Sequence, residues 1–170
     1  MEVADLLLGS EVNFFKLIGT PQWFVPLAWD TVGAISLQGG LAEAFGATGE
    51  VPISRRFFLG GSNTVRGYDF ERLGPTGPDG APTGGDVFVL ANIEWRVPLY
   101  RGFGVVLFSD IGNVHRAIDD LSPGGMKGSV GLGLRYSTPI GPIRFDYGRK
   151  LAPARNEASG RFHFSVGQAF

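Results

Sequence analysis

Apolar residues recur at every second position along most of this chain. In "DVFVLANIEWRVPL" (86–99) one face is Val87, Val89, Ala91, Ile93, Trp95, Val97 and Leu99, all apolar. The other is Asp86, Phe88, Leu90, Asn92, Glu94, Arg96 and Pro98, mixed and charged. "SVGLGLRYSTPI" sets Val130, Leu132, Leu134, Tyr136, Thr138 and Ile140 against Ser129, Gly131, Gly133, Arg135 and Ser137. "IRFDYG" alternates Ile143, Phe145 and Tyr147 with Arg144, Asp146 and Gly148. The closing "RFHFSVGQAF" places Phe162, Phe164, Val166 and Phe170 opposite His163, Ser165, Gly167 and Ala169. Less regular strands are predicted over 11–27, 31–45 and 103–114, making seven in all. No stretch sustains the spacing of about 3.6 that a helix requires, so the chain reads as all-β and antiparallel.

Alternation alone fits two environments. A soluble sandwich buries its apolar face and wets the polar one, whereas an outer-membrane barrel turns the apolar face to lipid and lines its lumen with the other. The connections favour the barrel. Tight ones, "PLAWD" (26–30), "PLYRG" (98–102) and "TPIGP" (138–142), alternate with long ones at 46–85, 115–128 and 152–160. Short periplasmic turns and long external loops give that rhythm. Trp23, Trp29, Tyr100, Tyr147 and Phe170 lie near strand ends, where interfacial girdles form. With tight turns and the C-terminus periplasmic, the first of the seven strands starts outside. An even strand number then requires another before residue 11, and "VADLLL" (3–8) is the expected stub. The chain is expected to be part of something longer.

Composition narrows the picture a little further. Fifteen Lys+Arg against sixteen Asp+Glu leave no basic field for nucleic acid. Charged residues at 18% fall below the roughly 25% of soluble domains. With no cysteine, thiol nucleophiles and thiolate metal sites are excluded. The N-terminus lacks the apolar run of about 7–15 residues that marks a signal peptide.

One stretch does not behave as a solvated loop. "FFLGGSNTVRGYDF" (57–70) brings two aromatics and a leucine into Gly60-Gly61, then sets Arg66 between Val65 and Gly67-Tyr68. A loop of that composition is expected to fold back and dock.

Together, "RRFFLGGSNTVRGYDFERLGP", "VLANIEWRVPL", "VVLFSDIGNV", "GLGLRYSTPIGPIRFDYG" and the terminal "RFHFSVGQAF" resemble the C-terminal barrel region of the BamA/TamA outer-membrane assembly family, of the surface-antigen type. The resemblance runs from about residue 10 to 170, with the motifs in family order. It implies a sixteen-stranded barrel preceded by periplasmic POTRA domains, of which residues 1–170 are the last seven or eight strands, with no POTRA domain in this stretch. It implies insertion of other barrel proteins into a bacterial outer membrane, or translocation of polypeptides across it, without covalent chemistry and without cofactor or metal. Implied partners are membrane lipids and lipopolysaccharide, client β-barrel or secreted polypeptides and accessory lipoproteins. A second copy completing the barrel is a further possibility.

The resemblance also assigns roles. The V-R-G-Y loop (Val65, Arg66, Gly67, Tyr68) folds into the lumen, and Arg66 meets Glu94 of "NIEWR" and Asp110 of "FSDIG". Alternation independently places Glu94 on the face away from lipid. It groups Asp110 with Gly104, Val106, Phe108 and Gly112, against Phe103, Val105, Leu107 and Ile111 outside. A guanidinium offers five donors in a planar fork and can bridge two carboxylates. Gly60, Gly61 and Gly67 permit the backbone turns such docking needs. Phe170, read as an outward aromatic, is implied to belong to the C-terminal strand signal.

His115 and His163 show no ligand constellation, and Ser109 and Ser165 no triad. Asp119-Asp120 reads as a solvated loop pair, Gly167 carries no signal, and "GPTGPDGAPTGG" (74–85) reads as a loop between strands. Two rival functions remain at this stage: a small structural barrel of about eight strands, and a secretion pore of the same superfamily. An enzyme is the least favoured class.

Overall fold

The computed structural model describes residues 2–4, 12–139, 141–155 and 157–170. Its strands are β1 (Glu2–Ala4), β2 (Phe14–Gly19), β3 (Gln22–Pro26), β4 (Val32–Ala44), β5 (Val87–Pro98), β6 (Phe103–His115), β7 (Lys127–Tyr136), β8 (Ile143–Lys150) and β9 (Gly160–Val166). All pairings are antiparallel, and the sheet runs β1-β2-β4-β5-β6-β7-β8-β9 with β3 also on β4.

The predicted strand at 11–27 is two pieces on one stave. Residues 39–44 of β4 pair with β2, and residues 32–36 pair with β3. Thr20-Pro21 separates them, because Pro21 has no N–H for the ladder; its carbonyl still accepts from Leu37 N at 3.0 Å. Within the expected stub, Val3 and Ala4 belong to β1 and face Phe15 and Phe14 of β2. Asp5 to Leu8 lie outside the described residues, as do Ser10, Glu11 and Ile140. Among the described residues the sheet thus has eight staves.

The faces follow the alternation. Ile35, Leu37, Ile93, Trp95, Leu107, Ile111, Leu132, Leu134, Phe145, Phe162 and Phe164 stand exposed on the convex side. An apolar surface of that extent marks contact with a membrane or partner, and among the described residues no second sheet covers it. On the concave side Ala34, Ser36, Asn92, Glu94, Val106, Phe108, Asp110, Ser129, Arg144 and Asp146 are buried.

The packed core lies between that concave wall and the long loop. Val51, Phe57, Leu59, Val65, Tyr68 and Leu73 from the loop meet Phe14, Ala42, Phe88, Leu90 and Val114 from the strands. Phe57 and Phe88 are in ring contact at 4.7 Å. Isolated bridges Phe57↔Gly85 and Leu59↔Leu73 fold the loop on itself before it reaches the wall. The tight connections close at the opposite end, with Leu27 N donating to Thr31 O at 2.8 Å and Leu99 N to Phe103 O at 2.8 Å.

The last strand departs from its sequence reading. β9 stops at Val166, and Gly167 takes φ +106°, a left-handed turn that only glycine adopts freely. Gly167 is therefore informative after all. Beyond it the chain bends, and Phe170 is not on the convex face: its ring lies 5.2 Å from the guanidinium carbon of Arg96, whose Nε bonds Glu94 on the concave side. The period-two pattern does not hold beyond Gly167, because the strand has already turned there.

Candidate functional site

The tip of the long loop is turned by short-range bonds. Gly60 N donates to Thr64 Oγ1 (2.8 Å) and Thr64 N to Gly61 O (3.3 Å), with Gly60 and Gly61 at φ +105° and +108°. The turn directs Val65 and Arg66 at the wall, where both are fully buried.

Arg66 is held on every edge. Its Nε and Nη2 donate to Asp110 Oδ2 (2.8 Å) and Oδ1 (2.7 Å), and its backbone N also reaches Oδ2 (2.9 Å). Nη1 donates to Glu94 Oε1 at 2.5 Å. The guanidinium plane lies over Phe108, 3.5 Å from the ring centroid, where cation–π attraction adds to the ion pairs. Gly112 follows Asp110 on the same face and is buried beside Leu90. Burial alone would lower the Arg66 pKa; hydrogen bonds and charge from Asp110, then Glu94, outweigh it and hold the pKa above its ordinary value.

Gly67, at φ +106°, sits against Gly148 of β8. A methyl group on Gly148 would stand 2.5 Å from Arg66 C and 2.6 Å from Gly67 N, so loop backbone and wall backbone touch directly. Tyr68 is buried with Lys150 Nζ 4.7 Å from its ring centre, and burial, then the charge of Glu157, raises its pKa.

Several residues that sequence reasoning assigned no contact complete the site. Asn92 Nδ2 donates both to Thr64 O and to Asp110 Oδ1, each at 2.8 Å. Arg144 anchors the start of the turn through Asn63 Oδ1 (2.9 Å) and Ser62 O (2.8 Å), and pairs with Asp146 Oδ2 at 3.0 Å. Arg135 takes the other oxygen of Asp146 at 2.6 Å, and Arg96 the second oxygen of Glu94 at 2.8 Å. His163 Nε2 accepts from Gly67 N at 3.3 Å, and Arg161 pairs with Asp69 at 2.6 Å. The available signal was polarity at lumen-facing positions of consecutive strands. His115 ends β6 and is buried rather than opening a loop, while Asp119 and Asp120 are exposed in a short turn.

The site is a polar clamp built from ion pairs and hydrogen bonds. Among the described residues no group of three or more His, Cys, Asp or Glu could hold a metal ion.

A profile of the Omp85 superfamily domain matches residues 1–170. The chain belongs to the Omp85 superfamily. It is 34% identical over 169 residues to the outer membrane protein assembly factor BamA of Nitratidesulfovibrio vulgaris, covering 96% of this chain and 21% of that protein. It is 28% identical over 197 residues to BamA of Neisseria meningitidis, covering 96% and 25%. A eukaryotic relative, the sorting and assembly machinery component 50 homolog B of Xenopus laevis, is 33% identical over 107 residues, covering 63% and 22%. The crystal structure of Haemophilus ducreyi BamA lacking POTRA domains 1–3 shares the fold, with a TM-score of 0.75, 23% identity and coverage of 93% of this chain and 35% of that one. This Omp85 chain thus spans about a fifth to a quarter of the length of the curated relatives it matches. Its convex face is the lipid face of an outer-membrane barrel.

Proposed function

We propose that this chain is the C-terminal barrel part of an outer-membrane protein assembly machine. In this reading it supports insertion of client β-barrel polypeptides, and its Val65–Tyr68 loop braces the lumen wall while client strands are handled at the sheet edge. The observation that carries the reading is the two-carboxylate grip on Arg66, which joins the loop to β5 and β6 at once. A loop tied so tightly to the wall keeps a wide barrel wall in one curvature without filling the lumen with side chains. The names of the relatives point the same way.

An open edge also supports this reading over a small closed barrel. Among the described residues β1 pairs with β2 and β9 with β8, and no pairing joins β1 to β9. An eight-stranded barrel has an interior just wide enough for its side chains, whereas here the concave side also takes the docked loop.

The test is insertion of a radiolabelled β-barrel client into liposomes by the full natural protein containing this segment. Arg66→Ala is expected to cut the yield of folded, protease-protected client. Unchanged insertion by a variant whose loop has demonstrably become protease-sensitive would remove the loop from the mechanism.

A further inference from the structure

Arg149 stands apart from the other charged residues of the later strands. Among the described residues of β5 to β9, the acids and the remaining bases have the parity of the concave side. Arg149 alone shares the convex parity of Phe145 and Tyr147, and it is exposed. A charge on the lipid face is costly in hydrocarbon and is tolerated where it reaches the headgroup layer. Arg149 meets that condition, one position before the long-loop end of β8. Directly across from it are Val130 of β7 and Gly160 of β9, so neither neighbouring strand offers it a carboxylate. Among the described residues no ion pair involves it.

Beside Arg149 lie a hydroxyl and a groove. A methyl group on Gly160 would stand 2.8 Å from the Tyr147 hydroxyl oxygen, so the phenol fills the space over the residue opposite Arg149. The Tyr147 ring packs on Phe162 at 4.6 Å, which supports that lean. Tyr147 is also the near end of an apolar groove of about 280 Å³, lined further by Val105, Leu132, Gly133, Leu134 and Phe145. The groove crosses the cross-strand pairs Leu132↔Tyr147, Leu134↔Phe145 and Val105↔Leu134, running from Tyr147 towards the tight-turn end.

We infer that this part of the convex face binds a lipid carrying a phosphate. The phosphate sits on Arg149 and the Tyr147 hydroxyl, and an acyl chain lies in the groove. A guanidinium edge gives a phosphate two parallel donors, and the tyrosine hydroxyl adds a third. The groove favours a lipid over a free ion, because an ion makes no use of apolar surface beside the charge. The inference rests on the lipid-face assignment and not on client insertion, so it stands or falls separately from the assembly reading.

Native mass spectrometry of the full natural protein containing this segment, in detergent, tests the site. The probe is dioctanoyl phosphatidic acid, and its counterpart is dioctanoylglycerol, the same lipid without the phosphate. The phosphatidic acid is expected to bind, and the glycerol lipid about tenfold more weakly or not at all. Arg149→Gln is expected to weaken the tightest phosphatidic acid binding about tenfold, the loss of one charge-assisted contact. Leu134→Trp fills the groove while keeping Arg149 and Tyr147, and is expected to weaken binding as well. Neither variant should shift the unfolding midpoint in lipid-free detergent, because both side chains are exposed. Arg101→Gln removes the same charge from the tight turn at the opposite end, and is expected to leave binding unchanged. Phosphatidic acid binding that Arg149→Gln leaves intact overturns the site. Equal losses from Arg149→Gln and Arg101→Gln would show diffuse attraction to charge and overturn it too. Dioctanoylglycerol binding as tightly as the phosphatidic acid overturns the phosphate assignment, and binding indifferent to Leu134→Trp overturns the groove.

Discussion

Arg66 and Asp110, 44 positions apart in sequence, are joined by three hydrogen bonds, two from the guanidinium and one from the backbone N–H of Arg66. The contact fixes a loop backbone atom as well as a side chain, so it sets where the loop runs and not only how its charge is neutralised. Both groups are essentially inaccessible to solvent, and removing either leaves a buried charge.

That asymmetry gives the first prediction. Arg66→Ala and Asp110→Ala should each cost about 3–5 kcal/mol of barrel stability, the scale of an orphaned buried charge. The double variant should cost clearly less than the sum of the two. Arg66→Lys should rescue little, because a point charge cannot reproduce the two-point grip on Asp110 while reaching Glu94. Denaturant unfolding of the parent and the four variants in detergent checks this; strictly additive losses would show the pair to be uncoupled.

Gly148 supplies a second. An added methyl would meet the Arg66 carbonyl carbon and the Gly67 nitrogen, both backbone atoms with little room to move. Gly148→Ala should lift the loop off β8 and cost roughly 1–3 kcal/mol, as overpacking does. The readout is protease cleavage within residues 62–69, expected in the variant and absent in the parent.

Much of this architecture was legible because period two is enforced by the environment on both faces. Lipid demands Ile93, Trp95, Leu132 and Leu134 outside, and the lumen tolerates Glu94, Asp110, Arg135 and Asp146 inside. The docked loop was legible only through the motif around Arg66 and the family resemblance. Gly148 was hidden because it sits among glycines that alternate for ordinary strand reasons, and nothing local says which one a distant backbone will touch. Arg144 and Asn92 were placed on the correct face, but their partners in the loop are about 80 and 28 positions away and leave no local trace. The face of Phe170 is illegible for the opposite reason: the regular pattern runs on past Gly167, where the backbone turns.

The exposed pair Arg161–Asp69 tests magnitude instead of presence. Its 2.6 Å separation is as short as those of the buried bridges, yet both side chains are about half exposed. Water competes at such a site, and pairs of this kind contribute roughly 0–1 kcal/mol. Asp69→Asn should therefore leave the unfolding midpoint nearly unchanged and leave the loop protease-resistant. A loss comparable to that of Asp110→Ala would mean that the tether to β9 matters far more than its exposure allows.

Acid should release the loop over residues 151–159 before it unfolds the barrel. Burial works to raise the Glu157 pKa, but the hydrogen bond from Lys150, the one from Ala154 N and the nearby positive charges outweigh it and leave the pKa below the ordinary carboxylate value. A depressed acid stabilises the folded state at pH above its unfolded pKa, and that contribution is lost as pH falls through the folded pKa. The window thus lies at and below the usual carboxylate range, not near neutrality. When Glu157 protonates, Lys150 loses its anionic partner and its position over Tyr68 is no longer fixed from the loop side. Amide exchange in 151–159, corrected for intrinsic rates, should accelerate on acidification while β5 and β6 stay protected. Glu157→Gln should show the fast rate at every pH. If instead the loop and the central strands lose protection together, the Lys150–Glu157 contact is not an independent latch but part of the cooperative unit that Arg66 holds.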